Sequence, residues 1–175
     1  LMVCTGTGCA SAKGMVLKDK LQEAIMEKNL QDDYLVVGTG CNGFCSVGPI
    51  LVVQPEGTFY QKIKIKDIEE IIQKHLIEGQ VVEKLLHKDP VTNETNLKMD
   101  EIRFFSKQQL IALRNKGLID PENIKSYIAR GGYKAFEKAL GTEPEMIIKE
   151  VISSGIRGRG GGGFPAGIKW ESCVK

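Results

Sequence analysis

Two pairs of cysteines carry the first chemistry that can be read from this chain. Cys4 and Cys9 have four residues between them, and Cys41 and Cys45 have three. Both pairs lie in loops that follow apolar stretches, "LMVCTGTGC" and "YLVVGTGCNGFC". Glycine and threonine suit tight loops whose backbone N–H groups point inward, where they stabilise anionic sulfur. Four thiolates in two pairs can hold a 2Fe–2S cluster, two per iron. Structural zinc also takes four cysteines, usually spaced more closely within each pair. A disulfide or plain core cysteines are the third reading. No basic residue lies in either loop, so an activated nucleophile is not favoured. Cys173 has no partner in sequence and reads as an ordinary thiol.

A second constellation is "GIRGRGGGGFPAGIKW", in which seven glycines fall between Gly155 and Gly167. Consecutive glycines let backbone approach a phosphate or a flat ring without Cβ obstruction. Arg157, Arg159 and Lys169 can neutralise a phosphate. Phe164 and Trp170 can stack on a ring or pack, with packing expected for Trp170. Gly158, Gly160 and Gly163 fit a dinucleotide pattern, but that turn must follow a strand, and here a helix precedes it. A Walker A loop needs Gly-Lys-Ser/Thr, which is absent. A flexible linker is the remaining reading; linkers rarely interleave Arg, Phe, Pro, Lys and Trp.

The elements that must position these residues follow from periodicity. Leu1–Val3 reads as a strand entering the first cysteine loop. Residues 11–29 read as a helix with Met15, Leu21, Ala24, Ile25 and Met26 on its apolar side. Residues 34–38, "YLVVG", read as a buried strand before the second cysteine loop. Residues 50–54 and 58–62 flank "PEG" as a hairpin. Residues 67–78 read as an amphipathic helix with Ile68, Ile71, Ile72, His75 and Leu76 inward. This order describes a small α/β domain over 1–88. A polar linker is expected over 89–105, then short helices over 106–175. "SKQQLIALRNKG" is expected to be one helix. A second has Asp120 as N-cap and Pro121 in its first turn, and a third spans 133–140. A fourth carries a capping box at Thr142 and Glu145 and stops at Gly155. His75 is expected to pack against its helix and His87 to lie at the surface. No internal repeat is present.

The 175 residues are 42% hydrophobic, enough for a core. A net charge of +2 does not argue for nucleic acid. Residues 149–175 hold five Lys/Arg and two Glu, so the charge gathers near the glycine stretch. No apolar run approaches a membrane span, and the first residues do not read as a signal peptide. A cytoplasmic setting is expected, where clustered cysteines point to metal or catalysis. The chain opens on Leu1 and ends soon after its most distinctive stretch, so it is read as part of a longer polypeptide.

"VCTGTGC", "VVGTGCNGFCSVGPILVVQPEG" and "HLIEGQVVEKLL" together resemble the thioredoxin-like 2Fe–2S ferredoxin domain found in respiratory complex I and fused to NADH-binding subunits of soluble hydrogenases and formate dehydrogenases. The resemblance covers about the first 87 residues; Val81 stands where proline is commoner. It implies that Cys4, Cys9, Cys41 and Cys45 ligate a 2Fe–2S cluster. "GIRGRGGGGFPAGIKW" resembles the flavin- and NADH-binding loop of the complex I NADH-oxidising subunit, with Gly162 in place of a usual alanine. The stretch "FFSKQQLIALRNKGLIDPENIKSYIARGGYKAFEKAL" resembles the fused-hydrogenase branch. The second resemblance implies that residues 106–175 begin an FMN- and NADH-binding α/β domain. Gly158, Arg159, Gly160, Gly161 and Lys169 would contact FMN, Phe164 would stack near NADH, and Lys169 would also reach it. The family's acidic NADH-binding residues and 4Fe–4S cysteines would lie beyond residue 175. The implied function is an oxidoreductase subunit passing hydride between NAD(H) and FMN, and single electrons through iron–sulfur clusters. Its partners would be other iron–sulfur subunits of a hydrogenase, formate dehydrogenase or NADH dehydrogenase complex. This chain alone is expected to be inactive with NADH. The alternative is a non-enzymatic 2Fe–2S electron carrier or docking module; a zinc-stabilised interaction domain would be colourless.

Overall fold

A computed structural model describes residues 1–174. They divide into two compact units, Leu1–Tyr127 and a second that begins at Ile128.

In the first unit β1 (Met2–Cys4) leads through α1 (Thr7–Ser11) and α2 (Gly14–Glu27) to β2 (Val37–Thr39). β2 lies parallel to β1, with Cys4 opposite Thr39. β3 (Leu51–Val53) pairs antiparallel on the other side of β1, and β4 (Thr58–Tyr60) pairs antiparallel with β3. The sheet order is therefore β2-β1-β3-β4, a mixed α/β arrangement with β1 inside.

Both faces of this sheet are buried, and strand alternation assigns the residues to them. Leu1 and Val3 join Leu51, Val53 and Tyr60 in one layer, covered by Leu17, Leu21 and Ile25 of α2. Met2 and Cys4 point the other way, toward Val52, Phe59 and Ile102. The inward stripe of α2 is thus Leu17, Leu21 and Ile25, one helical turn apart. Met15 and Met26, expected in that stripe, face solvent at 45% and 59% exposure.

The helix expected over 67–78 forms as a short turn of α3 (Ile68–Glu70) that widens into a π-helical stretch over Ile71–Ile77. Ile68, Ile71 and Ile72 are buried, as expected. His75 packs there: Tyr60 Oη lies 2.9 Å from its Nδ1 and accepts the Val82 N–H at 3.0 Å. His87 corrects its expectation. It opens the small ladder β5 (His87–Lys88) with β6 (Thr95–Asn96) and is only 4% exposed. It lies 3.0 Å from Gln61 Oε1 and meets the Phe44 ring edge to face.

After β6, residues 103–106 form α4 (Arg103–Ser106) and Ile124–Ala129 forms α5. The helix expected over "SKQQLIALRNKG" is absent; beyond Ser106, which ends α4, those residues run as turns and irregular backbone. A stretch this short is marginal as a helix without a buried face, and Ile111 and Leu113 are exposed. Asp120 Oδ1 accepts the Glu122 N–H in a turn before α5, so Pro121 lies outside the helix.

The second unit holds α6 (Lys134–Leu140), α7 (Pro144–Ser153) and α8 (Ala166–Ser172). The capping box expected at Thr142 does not form. Its hydroxyl donates back to Lys138 O of α6 at 2.8 Å, and Glu143 stands at the N-terminus of α7 without a side-chain cap bond. α7 stops before Gly155 at φ +65°, and α8 crosses it so closely that a Cβ on Gly167 would meet Ile152 Cα at 2.5 Å. Among the described residues no helix is long and apolar enough to cross a membrane.

Candidate functional site

Parallel pairing of β1 and β2 explains why the two cysteine loops meet. With Cys4 opposite Thr39, both strands release their chains at the same end of the sheet. The junction is bonded: Thr5 N–H and Thr5 Oγ1 both donate to Thr39 O, at 2.9 and 2.7 Å. Cys4 ends β1, Cys9 lies in α1, Cys41 sits in the loop after β2, and Cys45 opens a 3-10 turn over Cys45–Val47. Cys4 and Cys9 are buried, and Cys41 and Cys45 are exposed. The pocket of sulfur therefore has a protein-facing side and a solvent-facing side.

The loops are packed against one another at bare backbone. A Cβ on Gly6 would lie 2.6 Å from Cys41 Cβ and 2.8 Å from Cys41 Cα. One on Gly48 would lie 2.8 Å from Cys9 Sγ. Neither distance is compatible with a side chain, so these glycines form a cradle around the sulfurs. The thiols lie close enough to influence one another: Cys9 feels Cys4 and Cys45, and Cys45 feels Cys41 and Cys4. Burial first, then Cys4 beside it, pushes the Cys9 thiol up to about 12. Cys41 beside it is the main cause that raises Cys45. Cys9 and Cys45 therefore resist ionising unless a cation compensates them, as a metal would.

Inward N–H groups were expected in these loops, and one is clear: Gly43 N–H donates to Cys41 Sγ at 3.2 Å. Sequence reasoning missed the aromatic group beside them. Phe44 stacks on Phe104 with centroids 4.9 Å apart and 11° between planes, and Phe105 stands edge-on to both. The adjacent phenylalanines in "RFFSK" and the one in "GFC" were its only signal.

The glycine stretch of the second unit is closed at its neck. Gly158 N–H donates to Phe164 O at 2.8 Å and Ala166 N–H to Ile156 O at 2.9 Å, with Arg157 bridged to Pro165. Arg157 Nε donates to Gly163 O at 2.6 Å, so this arginine braces the loop. At Gly160, Gly161 and Gly162 nothing lies within 4 Å of where a Cβ would be. The backbone N–H groups of residues 159–164 donate to no described acceptor. Arg159 and Lys169 are exposed and make no ion pair among the described residues. Phe164 is 58% exposed. Trp170, expected to pack, is half-exposed. Free N–H groups, unpaired cations and an open aromatic ring fit an anionic, planar ligand in kind.

No family model matches the chain. A 2Fe–2S ferredoxin of Clostridium pasteurianum is 38% identical over 77 residues, 44% of this chain and 76% of that protein. The NADP-reducing hydrogenase subunit HndC of Solidesulfovibrio fructosivorans is 55% identical over 64 residues, 37% of this chain. The match spans only 13% of that subunit's length. A solved thioredoxin-like [2Fe–2S] ferredoxin from Aquifex aeolicus aligns with 48% of this chain and 84% of its own, at 31% identity and TM-score 0.46.

Proposed function

The chain belongs to the 2Fe–2S ferredoxin family, and from that premise we propose that Cys4, Cys9, Cys41 and Cys45 hold a 2Fe–2S cluster through which it passes single electrons. The observation that carries this reading is the meeting of two glycine-cradled cysteine pairs at the ends of adjacent parallel strands. When bound, the cluster supplies storage of one electron, and a flavin supplies exchange between two-electron and one-electron carriers. Cys4 and Cys9 anchor the site in the core, while exposed Cys41 and Cys45 give a partner access to it. Gly43 N–H stabilises negative charge on Cys41 Sγ.

We further propose that the second unit contributes one wall of an FMN and NAD(H) site. Gly158, Gly160 and Gly161 give close backbone approach, Arg159 and Lys169 attract phosphate, and Phe164 offers a stacking face. Arg157 keeps the loop in shape and stays off the ligand. In this reading the chain is part of an NAD(H)-linked iron–sulfur flavoprotein subunit like the hydrogenase relative, with 4Fe–4S clusters outside these residues and other iron–sulfur subunits as partners. The cytoplasm, a reducing compartment, suits its five free cysteines.

Reductive titration separates these claims. Anaerobically purified chain should take up about one electron from dithionite, with bleaching of its visible bands. With NADH and added FMN the same bands should stay oxidised. Uptake of no electron from dithionite would remove the cluster reading. Rapid bleaching by NADH would show that the flavin site is complete within this chain.

A further inference from the structure

We infer that Lys116 raises the reduction potential of the cysteine centre by acting through a single peptide group, an inference that rests on the cluster reading above. The Asn42–Gly43 amide is the link. Its carbonyl, Asn42 O, accepts a hydrogen bond from Lys116 Nζ at 3.3 Å. Its N–H, on Gly43, donates to Cys41 Sγ at 3.2 Å. A cation at the oxygen polarises the amide and makes its N–H a stronger donor to sulfur. An electron added to the centre raises the negative charge on the thiolate sulfurs. A stronger N–H donor and a nearby ammonium both favour the reduced state.

The placement of Lys116 is built rather than incidental. Gln54 Nε2 donates to Gly117 O at 3.3 Å, which fixes the backbone beside it. The ammonium also sits 5.5 Å from the centroid of Phe105, within cation–π range. Phe104 packs against the loop, its Cζ 3.6 Å from where a Cβ on Gly43 would lie. Gly43 itself has φ +79°, the conformation that lets its N–H turn toward Cys41. No carboxylate pairs with Lys116 among the described residues, so its charge is not cancelled locally. Asn42 is 2% exposed and its side-chain Oδ1 has no hydrogen-bond partner among the described residues, so the loop is held through its backbone.

The test is a redox titration of the full chain, monitored by the cluster's visible and EPR signals, with iron and sulfide counted in each sample. Lys116→Met keeps the stem over Phe105 and removes the charge. It should lower the midpoint so that the reduced-to-oxidised ratio at a fixed potential falls about threefold. That corresponds to about 30 mV, from about 59 mV per tenfold for one electron. Lys116→Arg should stay close to wild type. Lys28→Met removes the same charge from the far end of α2 and should leave the midpoint unmoved. A Lys116→Met midpoint equal to wild type, or an equal shift from Lys28→Met, overturns the inference while the cluster reading stands. Wild-type protein that binds no iron overturns the cluster reading itself.

Discussion

The cysteine loops are positioned by strand pairing between residues far apart in sequence, whereas the glycine loop is held by bonds between near neighbours. In the first unit Cys4 N–H reaches Ile50 O, Thr5 reaches Thr39, and both faces of the sheet are covered by apolar side chains. In the second, the only buried residues are Gly132 and Gly167 among those described, while Ile152, Ile168, Phe164 and Trp170 are exposed. One site stands on a finished core. The other is a local loop with a braced neck and an uncovered apolar surround. A substitution at the first is therefore transmitted through packing, while one at the second should stay local.

The comparison can be broken most severely at sulfur. Replacing any one of Cys4, Cys9, Cys41 or Cys45 by alanine should abolish the visible cluster bands, while Cys173→Ala should leave them unchanged. Retention of full absorbance in a single ligand variant would mean that a different donor set holds the metal.

Glycine-to-alanine changes sharpen the contrast with the same chemistry at both sites. Gly6→Ala drives a methyl to within 2.6 Å of Cys41 Cβ, where loop backbone must move. Overpacking of this kind costs about 1–3 kcal/mol, and cluster content should fall steeply. Gly160→Ala places its methyl in open space, so thermal unfolding and cluster content should match wild type. Equal loss from both, by melting and iron content, would erase the distinction between the two units.

The smallest effect is on acid stability, and it too separates the units, because His75 and His87 both lie in the first. Burial lowers the His75 value, opposed by Glu56; burial also lowers that of His87, opposed by Asp89 and aided by Lys62. Below about pH 6.5 the unfolded chain takes up protons that the folded unit resists. Stability is therefore present above about pH 6.5 and declines as pH falls through the lowered folded values. Denaturant unfolding should show this slope in wild type and a shallower one in His87→Gln. A slope of opposite sign would mean that these imidazoles are charged in the fold.

Where local signals agreed with tertiary packing, the sequence was a sound guide. The hairpin around "PEG" formed as β3 and β4, and the apolar run before the first cysteine loop became β1. The resemblance to ferredoxin and hydrogenase sequences matched the relatives found. Three of the misreadings share a cause, which is that partners distant in sequence decided the outcome. Met15 and Met26 have helical spacing, but the sheet accepts the stripe through Leu17, Leu21 and Ile25. His87 looks like a polar surface residue until Phe44 and Gln61 close over it. The segment ending at Gly117 has helical composition, yet Gly117 O accepts from Gln54 and Lys116 donates to Asn42 O instead. The link from Lys116 to Cys41 joins residues that nothing in the sequence pattern connects. In the glycine loop the sequence offered Arg157 as a phosphate partner, and only the geometry shows it bracing the loop through Gly163 O.

The central claim is that four cysteines in two pairs hold two irons, and counting atoms tests it most directly. Anaerobically purified chain, assayed for iron, zinc and acid-labile sulfide, should contain about two irons and about two sulfides per chain, with negligible zinc. One zinc per chain without sulfide, or cysteines that bind no metal under iron- and sulfide-replete reconstitution, would contradict it.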